Sequence, residues 1–150
     1  MTRRSRNFSM ADITSKPDVI RQAVASGKIQ LKPSTIARVR KGGIAKGDPM
    51  AAAEVAAVLT AKNTSQTLPF CHPIPITNVL TEAEIGRSTI SVRSKVKTTA
   101  KTGVAMEALN AASTYLLTIW DMVKLYENDS NGQYPDTRIL DLRVVTKSKG

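Results

Sequence analysis

The chain has little of the chemistry that would make it a disulfide, zinc or membrane protein. Its 150 residues contain one cysteine and one histidine. A single cysteine excludes an intrachain disulfide, and one Cys with one His cannot supply the two ligand pairs of a usual zinc site. No apolar run approaches the ~18 residues that cross a bilayer, and the basic start MTRRSRNFSM is not followed by a hydrophobic secretory core. These absences predict a soluble, cytoplasmic protein with no metal site of its own.

Acidic side chains are also scarce relative to basic ones. Lys and Arg number 22 against 12 Asp and Glu, a formal charge of +10. Such an excess indicates a polyanionic partner, which could be nucleic acid, phospholipid or a phosphate-rich metabolite. Aromatic residues make up only 4%, so stacking platforms for single-stranded nucleic acid are few, and no zinc-finger, RNP or zipper pattern is present. Charge alone leaves a small basic RNA-binding module as one interpretation.

Length and hydrophobic content predict one domain. The hydrophobic fraction of 41% is enough for a single core. We expect residues 1–9, which are polar and basic, to be disordered, and residues 10–150 to form the domain. A short helix is predicted from Lys16-Pro17 to a glycine C-cap at Gly27, followed by a short strand over Lys28 to Lys32.

Capping residues and periodicity predict the remaining elements. Gly42-Gly43 ends a helix that starts at Pro33, Asp48 caps a helix that runs to Lys62, and a long helix runs from 103 to about 126. Alternation predicts strands at 76–85, 89–97 and 138–145. This order predicts an α+β sandwich with helices packed on one face of an antiparallel sheet.

The long helix shows two stripes of different character. The predicted buried stripe is Met106, Leu109, Leu116, Trp120 and Val123. The predicted solvated stripe is Glu107, Asn110, Thr114, Asp121 and Lys124. Glu107 and Asp121 lie about 21 Å apart along a straight helix, so they can act together only on a long ligand or through a neighbouring subunit.

The cysteine and the histidine are adjacent in LPFCHPIP, residues 68–75. Neighbours on an extended loop point to opposite sides, so Cys71 and His72 are a poor nucleophile and base pair. The flanking prolines preorganise the loop. A rigid loop that grips a planar ligand and a structural turn entering a strand are interpretations of comparable weight.

Two lysines are candidates for functional roles, Lys46 as a contact for an anion and Lys124 as a group that transfers protons. In KGGIAKGDP, Lys46 precedes a helix N-terminus, which favours anions, although the stretch lacks the P-loop pattern and also reads as a plain turn between helices. Thr102 and Gly103 lie at the start of the long helix, which is another helix N-terminus that favours anions.

Asp121 and Lys124 can pair at i and i+3. This is either a surface ion pair or an acid–base pair, and the latter requires a lysine pKa lowered by burial or by nearby cations.

Together these stretches resemble the cyclic pyranopterin monophosphate synthase family of molybdenum cofactor biosynthesis. The resemblance covers nearly the whole chain and is most specific in the FCHP loop, the KGD of 46–48 and the DMVK of 121–124. It implies a ferredoxin-like α+β subunit in a hexamer of three dimers with interfacial active sites. It also implies that a lyase converts a cyclised dihydro derivative of GTP, a nucleotide triphosphate, to cyclic pyranopterin monophosphate and releases diphosphate.

The resemblance also implies roles for individual residues. The implied catalytic residues are Asp121, Lys46 and Lys124. The implied substrate-binding residues are Phe70, Cys71, His72, Met106 and Glu107, with Lys62 and Arg21 near the phosphates. No metal ligand and no redox cofactor are implied, Mg²⁺ accompanying the triphosphate is left open, and neither a membrane nor a nucleic acid is expected as partner.

Two departures from the family pattern bear on these roles. Family sequences usually have Glu where Ala105 stands, so that carboxylate cannot be essential if the function holds. The usual glycine-rich tail is reduced to KSKG, which leaves open whether Lys147 or Lys149 closes over the phosphates.

Overall fold

A computed structural model describes residues 8–150. Within these residues the helices are α1 (Pro33–Lys41), α2 (Pro49–Lys62), α3 (Thr64–Thr67) and α4 (Ala105–Glu127). The strands are β1 (Val19–Gln30), β2 (Ile76–Ile85), β3 (Thr89–Ala100) and β4 (Arg138–Lys149). The disorder predicted for residues 1–9 falls mostly outside the described residues; Phe8 and Ser9 are exposed.

In the described part of the chain, four strands form one antiparallel sheet in the order β2-β3-β1-β4. The central strand β1 pairs with β3 along its whole length and with β4 on its other side. Helix α4 packs across β1 and β3, and α2 packs beside α4. The predicted α+β sandwich is confirmed, and the arrangement is consistent with a ferredoxin-like fold.

The helix predicted from Lys16 to Gly27 is wrong, because this segment forms most of β1. Its buried positions recur every second residue, at Ala23, Ala25, Gly27 and Ile29, as a strand requires. Gly27 is not a helix cap. A Cβ atom at this position would lie 3.0 Å from Leu116 Cδ1 of α4 and 3.3 Å from Leu142 Cδ1 of β4. A side chain here would require Leu116 and Leu142 to shift by a few tenths of an ångström, so glycine suits this close approach.

The stripes predicted for α4 are partly wrong. Met106 of the apolar stripe is 43% exposed, and Trp120 is only partly buried. Glu107 of the solvated stripe is 2% exposed. The helix packs on the sheet below and on α2 beside it, so its buried surface is wider than one stripe. Its fully buried large aromatic and aliphatic side chains are Tyr115, Leu116, Ile119 and Val123.

The other boundaries agree closely with prediction. Helices α1 and α2 and strand β2 begin and end where capping and alternation place them. Strand β3 continues to Ala100, and β4 continues to Lys149. Residues 146–149, which lie beyond the predicted end of this strand, are therefore strand residues that pair with β1.

Candidate active site

A cavity of about 840 Å³ opens between the edge of β1 and β4, the loop at residues 68–72 and the start of α4. Lys62 lies exposed at the end of α2 and lines neither this cavity nor the smaller one described below. Ala105, the first of the two departures noted in the sequence, also lines the cavity. Six of the seven predicted substrate-binding residues also line it: Arg21, Phe70, Cys71, His72, Met106 and Glu107.

Glu107 is the buried carboxylate of this cavity. Its Oε2 accepts a hydrogen bond from Cys71 Sγ at 3.6 Å, and its Oε1 has no partner among the described residues. Burial raises the pKa of Glu107 above its ordinary value. A buried acceptor left without a donor is costly, so a ligand N–H placed at Oε1 would recover that cost on binding.

Cys71 is a protonated thiol in this setting. Burial, and then the charge and hydrogen bond of Glu107, raise the pKa of Cys71. Because the thiolate is the nucleophile, a raised pKa makes this thiol unreactive at neutral pH. The side chain of His72 contacts the backbone of Ala11 and not Cys71. Its Nε2 lies 2.7 Å from the Ala11 carbonyl, which requires an N–H donor at that atom.

An N-terminal strap, residues 8–16, lies over the mouth of the cavity. The ring of Phe8 stacks on Phe70 with centroids 6.2 Å apart and an interplanar angle of 7°. Lys101 Nζ donates to the Lys16 carbonyl at 2.8 Å and holds the other end. Sequence reasoning missed the strap because it has neither periodicity nor a cap. It lines the cavity through Ala11, Ile13 and Lys16.

Cations surround the rest of the cavity. Arg21 of β1 pairs across the sheet with Lys149 of β4, and Lys147 lies two residues earlier on β4. Arg21 Nε is buried without a hydrogen-bond partner among the described residues. The N-terminus of α4 also opens here, with Thr102 and Gly103 in the lining and no side-chain cap. This wall suits an anion with several charges.

A second cavity, of about 300 Å³, lies at the other end of α4 and holds the three predicted catalytic residues. Lys46 Nζ lies 3.1 Å from Asp121 Oδ2, and Lys124 Nζ lies 3.0 Å from Asp121 Oδ1. The carboxylate is thus held between two ammonium groups. The hydrogen bond from Lys124, and then that from Lys46, lower the pKa of Asp121, and the bond to Asp121 raises the pKa of Lys124.

Two observations bear on the sequence expectations for this cavity. The amides at the N-terminus of α2 are already occupied, because Asp48 Oδ1 accepts from Met50 N at 3.0 Å and from Ala51 N at 3.3 Å. This helix end is therefore not open to an anion. The pKa of Lys124 is raised in the single chain, whereas proton transfer near neutral pH needs it lowered.

The two cavities lie at opposite ends of one helix. Glu107 and Asp121 are both on α4, about 21 Å apart along its axis. One chain therefore brings six of the seven predicted binding residues together in one place and the predicted catalytic residues together in another. Within residues 8–150, no three His, Cys, Asp or Glu side chains cluster as metal ligands would, and no helix is long and apolar enough to cross a membrane.

Comparison with known proteins gives one consistent result. The profile of the MoaC family matches residues 10–150. A protein of Methanoregula boonei named probable cyclic pyranopterin monophosphate synthase is 51% identical over 141 residues, covering 94% of this chain and 91% of that protein. Proteins of the same name from Thermococcus kodakarensis and Sulfolobus acidocaldarius are 49% and 51% identical, covering 97% and 93% of this chain and 93% and 98% of their own lengths.

Proposed function

Because the chain belongs to the MoaC family, we propose that it makes cyclic pyranopterin monophosphate in molybdenum cofactor biosynthesis. The substrate is the cyclised dihydro derivative of GTP, and the second product is diphosphate. The observation that supports this proposal best is the close grouping of Lys46, Asp121 and Lys124, which form an acid–base cluster in a cavity of their own. No redox cofactor takes part, and Mg²⁺ carried by the triphosphate is compatible with this scheme.

The larger cavity is suited to the base and the phosphates of this substrate. Glu107 Oε1 lacks a donor, and a guanine-derived ring carries N–H groups that can supply one. The triphosphate, with roughly four negative charges, is attracted to the cationic wall. In this proposal Arg21, Lys147 and Lys149 bind the phosphates, while Phe70 and His72 hold the ring.

The smaller cavity carries the proton transfers. Lys46 and Lys124 donate and accept protons during ring rearrangement and formation of the cyclic phosphate, and ionised Asp121 orients their ammonium groups. The pKa of Lys124 must fall for this role. A second subunit that places its cationic wall beside the cluster would lower it, since like charges disfavour the ammonium form.

We therefore propose a homo-oligomer, a hexamer built from three dimers, in which each active site combines the larger cavity of one subunit with the smaller cavity of the next. Helix α2 supports an interface because it is apolar on its outward side as well as its inward one. Val55 is 62% exposed, Leu59 is 54% exposed, and Leu117 of the adjacent α4 is 55% exposed. Such a patch is typical of a surface that another chain covers.

Diphosphate release from the cyclised dihydro-GTP substrate tests the proposal. Asp121→Ala should lower kcat by about 10²–10⁴-fold, the range for loss of a positioned acid–base group. The matched control is Glu84→Ala, which removes an exposed carboxylate of β2 outside both cavities and should keep wild-type turnover. Both variants are compared at equal folded concentration.

The outcome also separates the enzyme from its alternative. Absence of release by well-folded wild-type protein, under conditions where a known family member turns over, would reject the proposal. A steeply salt-dependent affinity for RNA would then favour the basic binding module.

A further inference from the structure

Lys46 stands at the end of a loop whose backbone is unusually free. The loop Gly42–Gly47 joins α1 to α2, and three of its six residues are glycine. Gly42 and Gly47 adopt positive φ angles of 72° and 116°. A hydrogen bond from Gly47 N to the Ile44 carbonyl, 3.0 Å long, closes a turn around Lys46, and contacts from outside the loop must orient this turn against α4.

The ion pair of Lys46 is too exposed to fix the loop. The side chains of Lys46 and Asp121 are 48% and 58% exposed. Ion pairs in contact with solvent stabilise a geometry weakly and are screened by salt. Ile44 anchors the start of this turn in the core, but Ala45 and Lys46 are exposed, so contacts with α4 set the direction of the turn.

Tyr126 makes the contacts that set this direction. Its hydroxyl oxygen accepts a hydrogen bond from Ala45 N at 2.9 Å, the amide directly before Lys46. The same hydroxyl donates to the Gly43 carbonyl at 3.5 Å. The guanidinium of Arg38 lies 4.5 Å from the centre of the tyrosine ring and holds its other side.

Tyr126 is itself held firmly on the helix that carries the acid–base cluster. It follows Asp121 by five residues and Lys124 by two on α4. The next residue, Glu127, is fully buried, and its carboxylate accepts hydrogen bonds from Lys32 N, Thr35 Oγ1 and Thr137 Oγ1. The hydroxyl of Tyr126 therefore has a defined position relative to Asp121.

We propose that Tyr126 is a positioning residue for Lys46. Its hydroxyl ties the glycine-rich loop to α4, so that Lys46 Nζ stays at 3.1 Å from the Asp121 carboxylate. The effect on catalysis rests on the proposed function. The hold on the loop does not, and it can be measured separately.

Tyr126→Phe removes both hydrogen bonds and keeps the ring over Arg38. We expect faster hydrogen exchange of the backbone amides at residues 43–47, measured by mass spectrometry on the intact protein. We expect kcat for diphosphate release to fall by about 3- to 10-fold, the equivalent of one ordinary hydrogen bond, with KM changed by less than about twofold. Thermal stability and oligomer size should stay near those of wild type, since the ring packing is retained.

Tyr115→Phe is the matched control. It removes a tyrosine hydroxyl from the same helix, eleven residues earlier, at a position that lines neither cavity. This variant should leave both the exchange of the loop and kcat unchanged.

Each contrary result overturns a stated part of the proposal. Unchanged exchange at residues 43–47 in Tyr126→Phe would reject the hold on the loop. Faster exchange with unchanged kcat, or a rise in KM alone, would reject the positioning of Lys46 for catalysis. Absence of turnover in the wild type would reject the proposed function, while the exchange experiment would still decide whether Tyr126 holds the loop.

Discussion

Single residues in the larger cavity are arranged for a ligand at some cost to the stability of the empty protein. Among residues 8–150, Glu107 Oε1 and Arg21 Nε are buried without a hydrogen-bond partner. Both groups would be better solvated in the unfolded chain. A ligand that supplies a donor to one and an acceptor to the other would offset this cost, which couples ligand binding to folding stability.

Replacing Glu107 by Gln should separate the effect of this carboxylate on folding stability from its effect on ligand binding. The folded-state pKa of Glu107 is raised above its model-compound value of 4.5, so the folded protein binds this proton more tightly than the unfolded chain does. Stability therefore falls as pH rises from that value through the folded pKa. Glu107→Gln has no such titration, so the difference between its melting temperature and that of the wild type should grow in favour of the variant as pH rises. The affinity of the variant for the substrate should drop by about 10-fold or more.

Differential scanning calorimetry of both proteins between about pH 4 and pH 8 tests this prediction. Parallel melting curves of wild type and variant across this range would contradict the assignment of a buried, ionising Glu107. Affinity is measured by titrating the substrate into each protein.

At the scale of elements, α1 has an unusual start. Its N-cap, Lys32, has no side-chain cap of its own, and the first turn holds no acidic residue. The capping carboxylate comes instead from Glu127, the last residue of α4, which reaches Lys32 N and Thr35. A third bond, from Thr137 Oγ1 at 2.8 Å, ties in the segment that leads to β4. One buried carboxylate therefore connects the end of α4 to the start of α1 and to the segment that leads to β4.

Glu127→Ala should strongly destabilise the fold. It leaves an amide and two hydroxyl groups without an acceptor in a buried place, and we expect a loss of about 2–4 kcal/mol in the free energy of unfolding. The control is Asp48→Ala, which removes the exposed cap of α2 and should cost about 1 kcal/mol. Urea unfolding of the two variants compares these costs. Equal losses would show that burial of Glu127 adds nothing to its capping role.

At the scale of the whole molecule, the two cavities lie too far apart for one reacting group to contact both within a single chain. They lie at opposite ends of α4, and the outward side of α2 is apolar. The excess of positive charge is partly explained at this scale, because Lys16, Arg21, Lys147 and Lys149 meet around one cavity. Assembly of several copies would bring this charge to the acid–base cluster.

Leu59→Glu should weaken this assembly. A charge at Leu59, on the apolar outward side of α2, must be desolvated when a second copy covers this side. We therefore expect a smaller particle in analytical ultracentrifugation. Diphosphate release should fall with the size of the particle, while the far-UV circular dichroism spectrum stays the same. Arg87→Glu, a charge change in the turn between β2 and β3, is the control and should leave the particle size unaltered. A Leu59→Glu variant of wild-type size would exclude α2 as the interface.

Elements whose signals are local could be predicted from the sequence. Asp48 and Pro49 start α2 because a carboxylate and a fixed φ act within one turn of the chain. The same local reasoning located α1, α4 and β2, and the motifs around residues 71, 46 and 121 indicated the family. The strand at residues 19–27 could not be predicted in this way, because pairing with β3 and β4 overrides the apparent helix. Three other features were visible only in the folded chain. They are the burial of Glu107, the placement of Lys147 and Lys149 beside Arg21, and the contact of Tyr126 with the Lys46 loop. These features depend on which distant segments pack together, and nearest neighbours in the chain carry no information about that.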